Sequence, residues 1–331
     1  MELRKVQEMG GGTLLISLPK NWVIANKIRK SDFLSVESTM GGGLLIHSVE
    51  LTDKKTKEIS ITYPVEDMQR LINLITGAYL LGFDVIKVMG NERISYEDGE
   101  IMKKAIRQLV GIEIVEEDSK SITSQFLLEP TALDPERTFR RMHMITRGML
   151  SDAIQSLLQS DHLLKKIVSD RDDEVDRLYF LLVRLVRAAT LDTQLSTKIK
   201  VSTIDCLDYR LSAYLLEAIG DLAVDIANSA GNISVKLINP STRKSLEKIG
   251  SLLEKMQEVS VKSFLSRSAD EGQKIISLYS DVNRELSNLE SLVESNNSKN
   301  TMFQIIASLN KISRYNVDIA DLAFPMNPLV E

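Results

Sequence analysis

The spacing of hydrophobic and polar positions changes near residue 130. Before that point, short apolar runs lie between glycine and proline turns, which is typical of strands. The runs are TLLISLP, FLSVES, LLIHSVEL, KEISITYP and FDVIKVMG. After that point, apolar residues recur at intervals of three and four, which predicts amphipathic helices. The predicted helices span about 135–159, 162–192, 201–236, 241–265, 268–295 and 301–323. The predicted fold class is therefore multidomain α+β, with an all-α second half.

Composition narrows the class of protein without identifying it. Hydrophobic residues make up 43% of the 331 residues and charged residues 26%, as in folded soluble proteins. No apolar run approaches the roughly 20 residues of a membrane span, and MELRKVQEMGGG lacks the apolar core of a signal peptide. The single cysteine, Cys206, excludes an internal disulfide and a cysteine-based zinc site. We therefore expect a cytoplasmic protein that is not inserted in a membrane.

One stretch of the second half carries a regular row of acids. In LLEAIGDLAVDIAN, residues 215–228, Glu217, Asp221 and Asp225 recur every fourth residue and so share one side of a helix. Like charges at this spacing repel one another, and a bound cation would offset the repulsion. An amphipathic helix with a solvated acidic face has the same pattern, and on spacing alone this second interpretation is favoured.

The N-terminal region has the opposite charge. The formal net charge of the whole chain is −5, so DNA binding requires a local basic patch. Residues 1–31 hold six basic residues against Glu2 and Glu8, a local net charge of +4. The six are Arg4, Lys5, Lys20, Lys27, Arg29 and Lys30.

The order of residues in this region resembles the SpoVT/AbrB-type swapped-hairpin domain. The matching segment is KVQEMGGGTLLISLPKNWVIANKIRKSDFLSVES, in which Leu18-Pro19-Lys20 matches the Ile-Pro-Lys step of that family. Asp32 matches its Gly-Asp turn, with Ser31 in place of the glycine. The resemblance implies an N-terminal swapped-hairpin β domain over residues 1–52 that forms an intertwined homodimer.

The same resemblance implies that the basic loops of this homodimer bind duplex DNA. Arg4 and Lys5 would be the foremost DNA contacts, followed by Lys20, Lys27, Arg29 and Lys30. A segment this short buries little surface alone, so pairing of two copies agrees with its size. The alternative is a module that only dimerises and carries a solvated basic rim.

Residues 57–130 predict a small α/β domain. Their strand and helix signals follow the order β-α-β-α-β-β, and glycines 77, 82 and 90 are too scattered for a nucleotide fingerprint. No nucleophile arrangement is present in this stretch either. The sequence predicts its fold and leaves its ligand and role open.

The sequence of the helical half indicates an internal duplication. Pro240 divides the six predicted helices three and three, and VDIAN at residues 224–228 corresponds to VDIAD at residues 317–321. We therefore predict two three-helix bundles, over residues 133–238 and 240–325.

The first bundle resembles the PhoU family, whose members accompany phosphate transport and its signalling. LEAIGDLAVDIAN resembles the PhoU signature Leu-Glu-Arg-Ile-Gly-Asp-x-Ala-x-Asn-Ile-Ala, with Ala218 in place of the arginine and Asp225 in place of the asparagine. DDEVDRL, residues 172–178, resembles the acidic motif on the preceding helix of that family.

The PhoU resemblance implies a metal site built from acidic pairs on these two helices. The implied pairs are Asp172 with Asp176 and Glu217 with Asp221, with Asp173 and Asp225 as adjacent acids. Such an all-oxygen set suits a divalent or trivalent ion such as Mg, Ca, Mn or Fe.

The second bundle departs from this pattern. Asn310 and Arg314 stand where Glu217 and Asp221 stand, and Tyr279 and Asn283 replace the aspartates. Asp281 and Glu285 are interpreted as a solvated face. We therefore predict at most one metal site, in repeat 1, and no catalytic residues.

Together these features predict a phosphate-responsive regulator of phosphate uptake that binds DNA as a homodimer. The alternative is an accessory protein without DNA binding that docks on a phosphate ABC transporter ATPase or a sensor kinase. A carboxylate–metal enzyme is least supported, because no histidine joins the acidic cluster, so we predict that the protein is not an enzyme.

Overall fold

The computed structural model describes residues 3–38, 42–48, 56–230, 238–293 and 299–323. Two compact units divide the chain, Met1–Lys55 and Thr56–Glu331. The four-part division predicted from the sequence is finer than this one. The predicted ends of the strand LLIHSVEL and of the helix over 201–236 lie partly outside the described residues.

The N-terminal unit (Met1–Lys55) contains two hairpins and a short helix. Strands β1 (Gln7–Met9) and β2 (Thr13–Leu15) pair antiparallel, and β3 (Leu34–Ser38) pairs antiparallel with β4 (Leu44–Ser48). Helix α1 (Lys20–Ala25) lies between the hairpins. The turn of the first hairpin is glycine-rich for a reason, since its Gly11 and Gly12 have φ values of +94° and +83°.

The N-terminal unit has no interior of its own. None of its described residues is buried, and the side chains that its strand pattern marks as core are open to solvent. Phe33 is 85% exposed, Leu14 67% and Val36 58%. Apolar strands in this state require a covering surface, because two-stranded ribbons are marginal by themselves in water.

Residues 58–126 form the α/β domain, with the element order that the sequence predicts. Its elements are β5 (Glu58–Tyr63), α2 (Met68–Leu80), β6 (Val85–Gly90), α3 (Tyr96–Arg107), β7 (Ile112–Glu117) and β8 (Ser121–Phe126). The sheet order is β5-β6-β8-β7, with β5 and β6 parallel and the other neighbours antiparallel. Leu71, Ile75, Ile86 and Met102 are among the apolar side chains of its core.

The helical half contains all six predicted helices and one more. They are α4 (Pro135–Gln159), α5 (His162–Leu191), α6 (Thr193–Lys198), α7 (Thr203–Ser229), α8 (Pro240–Ser266), α9 (Ala269–Val293) and α10 (Lys299–Asp321). The additional helix is α6, which begins where the Asp192 side chain accepts hydrogen bonds from the backbone N–H groups of Gln194 and Leu195. In the described part of the chain, no helix combines the length and apolarity needed to cross a bilayer.

The helices pack as two sets of three. Helices α4, α5 and α7 pack together, as do α8, α9 and α10, and the sets meet through α4 against α8 and α7 against α10. One continuous apolar core runs through both sets. VDIAN and VDIAD both lie near the C-terminal ends of the third helices, as the predicted duplication requires.

A buried arginine joins α5 to the α/β domain. Arg184 is only 6% exposed, and its Nη1 donates to the carbonyl oxygens of Tyr79 at 2.5 Å and Phe83 at 3.0 Å. Its Nη2 lies 3.6 Å from Asp84 Oδ1, and its guanidinium carbon lies 3.9 Å from the centre of the Phe126 ring. These contacts satisfy carbonyls at the end of α2 and stack the cation on an aromatic face.

We expect Arg184→Ala to lower the free energy of unfolding by about 3 kcal/mol, because it leaves Asp84 and two carbonyls without their buried partner. Urea unfolding followed by circular dichroism measures the loss. The matched control is Arg187→Ala on the exposed side of the same helix, which should change stability by less than about 0.5 kcal/mol. Equal losses in both variants would show that Arg184 is not an anchor.

Candidate functional site

The acidic residues are brought together by a close approach of α5 and α7. A Cβ atom added to Gly220 of α7 would lie 3.2 Å from Asp172 Oδ1 of α5 and 3.4 Å from the Met149 Cε of α4. Val175 and Leu178 of α5 are buried in the core. Because Gly220 has no side chain, α5 can present its aspartates directly against α7.

The apolar side of α7 is buried as predicted. Leu215, Leu216, Ile219 and Ala223 are at most 5% exposed. Their burial fixes the rotation of the helix about its axis and sends Glu217, Asp221 and Asp225 to the other side. Glu217 is half-buried there, whereas Asp221 and Asp225 are exposed.

The carboxylates interact strongly across the two helices. Burial, with smaller contributions from the charges of Asp176, Asp221, Asp173 and Asp225, raises the pKa of Asp172 to about 7. Burial and then the charges of Asp221 and Asp173 raise the pKa of Asp176 to about 6. These carboxylates therefore do not form the fully solvated acidic face that the spacing alone favoured.

The same causes act on the acids of α7. Burial, with contributions from the charges of Asp221, Asp176 and Asp172, raises the pKa of Glu217 to about 7, and Arg210 opposes this rise. Burial and Asp225 raise the pKa of Asp221. We call Asp172, Asp173, Asp176, Glu217, Asp221 and Asp225 the acidic cluster.

The chemistry of the acidic cluster fits a hard cation. All its donors are carboxylate oxygens, and the buried Oδ1 of Asp172 has no hydrogen-bond partner. The side chains nevertheless do not converge on one point. Among the described residues, no three His, Cys, Asp or Glu side chains are already grouped as ligands of one ion. The close approach of the helices brings the acids together, and side-chain rotation would have to complete a coordination shell.

The second bundle has neutral or basic residues at most positions of this cluster, although Asp318 aligns with Asp225. Asp281 pairs with Arg284, and Lys248 Nζ lies 2.5 Å from Glu285 Oε1. The Glu285 side chain is only 13% exposed, so interpreting it as part of a solvated face is wrong. Asn310 is half-buried and Arg314 exposed on α10, at the positions that align with Glu217 and Asp221.

The basic residues of the N-terminal unit are mostly free to meet a ligand. Lys5, Lys20, Lys27, Arg29 and Lys30 are exposed. Arg4 is half-buried and engaged in a contact of its own. The five exposed cations make no ion pair with another described residue.

The turn after α1 has a strained residue and a side-chain hydrogen bond. Ser31 has a φ of +74°, the left-handed conformation that favours glycine. The Asp32 carboxylate accepts a hydrogen bond from the backbone N–H of Arg29 at 2.6 Å and closes the turn. This turn lies directly after the exposed Arg29 and Lys30.

The sequence analysis did not identify Gly220 as the residue that allows α5 and α7 to approach each other closely. A glycine inside a helix destabilises it by up to about 1 kcal/mol relative to alanine, so its position one residue before Asp221 was the available signal. What the glycine allows, the contact with Asp172, depends on the distance between helices and is visible only in the fold.

The raised pKa values predict how stability depends on pH without metal. A carboxyl whose pKa is raised in the folded protein keeps its proton to a higher pH there than in the unfolded chain. Its contribution to folding stability is therefore full below about pH 4 and is lost as the pH rises through 6 to 7. We expect Asp172→Asn with Glu217→Gln, in EDTA, to unfold at higher urea than wild type at pH 7.5 and at similar urea at pH 4. Asp281→Asn in the second bundle is the control, and a pH-independent difference for the double variant would contradict the coupling.

Comparisons with known proteins match the helical half. Residues 139–230, from α4 through α7, match the PhoU domain family. A solved structure of PhoU from Pseudomonas aeruginosa is 19% identical, with a TM-score of 0.50, over 58% of this chain and 94% of that one. The phosphate transport system regulatory protein PhoU from Streptococcus pneumoniae is 17% identical, with a TM-score of 0.47, over 60% of this chain and 96% of that one. No curated protein sequence matches this chain. The first three-helix set, which carries the acidic cluster, is therefore similar to the PhoU domain family.

Proposed function

We propose that this protein is a phosphate-responsive regulator of phosphate uptake. The observation that carries the proposal is the PhoU domain match over residues 139–230, whose helices α5 and α7 supply the acidic cluster. In this proposal the helical half holds a metal ion and responds to phosphate status. The N-terminal unit forms a homodimer and binds duplex DNA.

The metal ion of the proposal belongs to repeat 1. Asp172, Asp176, Glu217 and Asp221 would hold it, with Asp173 and Asp225 beside them. A bound Mg, Ca, Mn or Fe ion would supply positive charge that offsets the mutual repulsion of these acids. The half-buried carboxyls would lose their protons on binding, so affinity should rise between pH 5 and 8.

We expect purified protein to contain metal that is lost in Glu217→Gln with Asp221→Asn, because two of the four principal ligands become neutral. Inductively coupled plasma mass spectrometry after dialysis measures the content. The control is Asp318→Asn with Asp321→Asn, which removes acids from the corresponding end of repeat 2. Metal content unchanged in the first variant, or lost equally in both, would rule out a site in repeat 1.

The N-terminal unit supports the homodimer part of the proposal. Its strand, turn and helix order follows the swapped-hairpin pattern, and none of its described residues is buried. A second copy would cover Leu14, Phe33 and Val36 and provide the missing core. Two sets of exposed basic residues would then lie on one dimer, and phosphate contacts by Lys and Arg make binding fall steeply with salt.

We expect the protein to bind duplex DNA at low salt and to lose affinity steeply as salt rises. Arg4→Gln with Lys5→Gln should reduce the affinity about tenfold or more. Fluorescence anisotropy with a labelled duplex measures it, and sedimentation velocity checks that the variant remains a dimer. Lys244→Gln with Lys255→Gln is charge-matched on exposed positions of α8 and should bind as wild type. Absence of wild-type binding at low salt would reject the DNA-binding role. DNA pull-down from cells with and without phosphate starvation would then identify the natural sites.

The second candidate function is an accessory protein that docks on a phosphate transporter ATPase or a sensor kinase. Four exposed apolar residues of α7, Ile204, Leu207, Leu211 and Tyr214, favour this candidate, since docking requires an accessible apolar surface. Co-purification with such partners, together with no DNA affinity, would select this candidate over the first.

A further inference from the structure

Helix α7 has an apolar seam on its solvent side. Ile204 is 70% exposed, Leu207 67%, Leu211 46% and Tyr214 47%. Their spacing of three, four and three residues is that of a and d positions in a heptad repeat. These four residues form the α7 seam. Contiguous exposed apolar residues mark interaction sites more often than isolated ones do.

The seam is additional to the core-facing side of the helix. Ala213, Leu216 and Ile219 fill the bundle core and are not exposed. The neighbouring Arg210 is engaged by its own bundle, since its guanidinium lies 5.0 Å from the centre of the Tyr179 ring. The apolar core of the bundle therefore forms without the four seam residues, none of which belongs to it.

Acidic residues follow the seam at the same heptad positions. Tyr214 is followed seven residues later by Asp221, and Leu211 is followed fourteen residues later by Asp225. Ala218, which lies between them at the position seven residues after Leu211, is buried. From Ile204 to Asp225 this face extends about 30 Å. Its exposed residues are apolar over the first two heptads and acidic beyond them, and the half-buried Glu217 adds a further charge at the junction.

We propose that the α7 seam and its acidic continuation bind one amphipathic helix of another protein, apolar along one half and rich in Lys or Arg on the same face of the other half. Charge complementarity selects this occupant. Two copies of α7 in parallel would set Asp221 against Asp221. In antiparallel register the acids would face the apolar half of the copy or lie beyond it, so a second copy never supplies the opposite charge.

The inference goes beyond the proposed DNA and metal binding and depends on neither. It gives the docking candidate a defined surface. The acidic continuation of the seam overlaps the acidic cluster. A bound cation would therefore lower the affinity for the helix, and a bound helix would lower the affinity for the cation by the same factor. The decisive binding experiment is therefore done in EDTA, and its result does not depend on whether the metal or DNA proposals hold.

The probe is a pair of fluorescein-labelled synthetic helices of about 24 residues, long enough to cover the face. Both carry Leu at the a and d positions of two heptads and Lys at the a and d positions of a third heptad. The Lys heptad is C-terminal in one peptide and N-terminal in the other. We expect the full chain to bind one of them saturably in fluorescence anisotropy. Leu207→Gln with Leu211→Gln should weaken that binding about tenfold or more, since hot-spot apolar contacts carry most of the affinity.

Two further variants complete the binding experiment. Asp221→Asn with Asp225→Asn should weaken binding and flatten its salt dependence. Met144→Gln with Leu163→Gln is the matched control, because both residues are exposed apolar positions on α4 and α5, and it should bind as wild type. Circular dichroism checks that every variant is folded.

The proposal is overturned if neither peptide binds, or if seam and control variants bind alike. It is also overturned if Leu207→Gln with Leu211→Gln reduces the sedimenting mass of the full chain, which would identify a second copy as the occupant. Photo-crosslinking from p-benzoylphenylalanine at position 207 adds a last arm. Crosslinks to residues 1–55 of the same chain would assign the seam to the protein's own N-terminal unit.

Discussion

The close approach of Asp172 to α7 at Gly220 is the constraint on which the candidate site depends. It sets the distance between two helices whose facing sides are acidic. At a larger distance the carboxylates would be solvated and would interact weakly, because water and salt screen the interaction between exposed charges. At the close approach seen between α5 and α7, the carboxylates partly shield one another from water. The apolar core below them prevents the helices from rotating away from this arrangement.

Helix α5 connects this contact to the α/β domain. Its N-terminal half carries Asp172 and Asp176, whereas Arg184 and Leu181 near its other end are buried against the α/β domain. Asp172 and Arg184 are twelve residues apart, about 18 Å along a continuous helix. The helix that presents Asp172 and Asp176 to α7 is thus the same helix that packs on the α/β domain.

The sequence predicts the helices well and the burial of charged groups poorly, for physical reasons. Helices α4 and α5 begin after Asp134 and Asp161, whose side chains cap them, and both signals are local. The short α6 was missed because six residues are too few to establish a period. Arg184 lies among buried Val183, Leu185 and Val186, so the signal of a buried arginine was present in the sequence. Its partners are about a hundred residues away, however, and no local pattern specifies them.

The internal duplication supplies a comparison that distinguishes fold from chemistry. Both bundles have three helices, a buried apolar side and a VDIA motif near the end of the third helix. In the first bundle the positions between α5 and α7 are carboxylates without cationic partners inside the cluster. In the second, Tyr279, Asn283, Asn310 and Arg314 stand where the first has Asp172, Asp176, Glu217 and Asp221, and an acid remains only at the position of Asp225, where Asp318 stands. Since the shared fold is formed with either set, packing does not require the acids of the first bundle. Their mutual repulsion is an unfavourable term that the fold tolerates, and a tolerated unfavourable term of this kind is typical of a functional site.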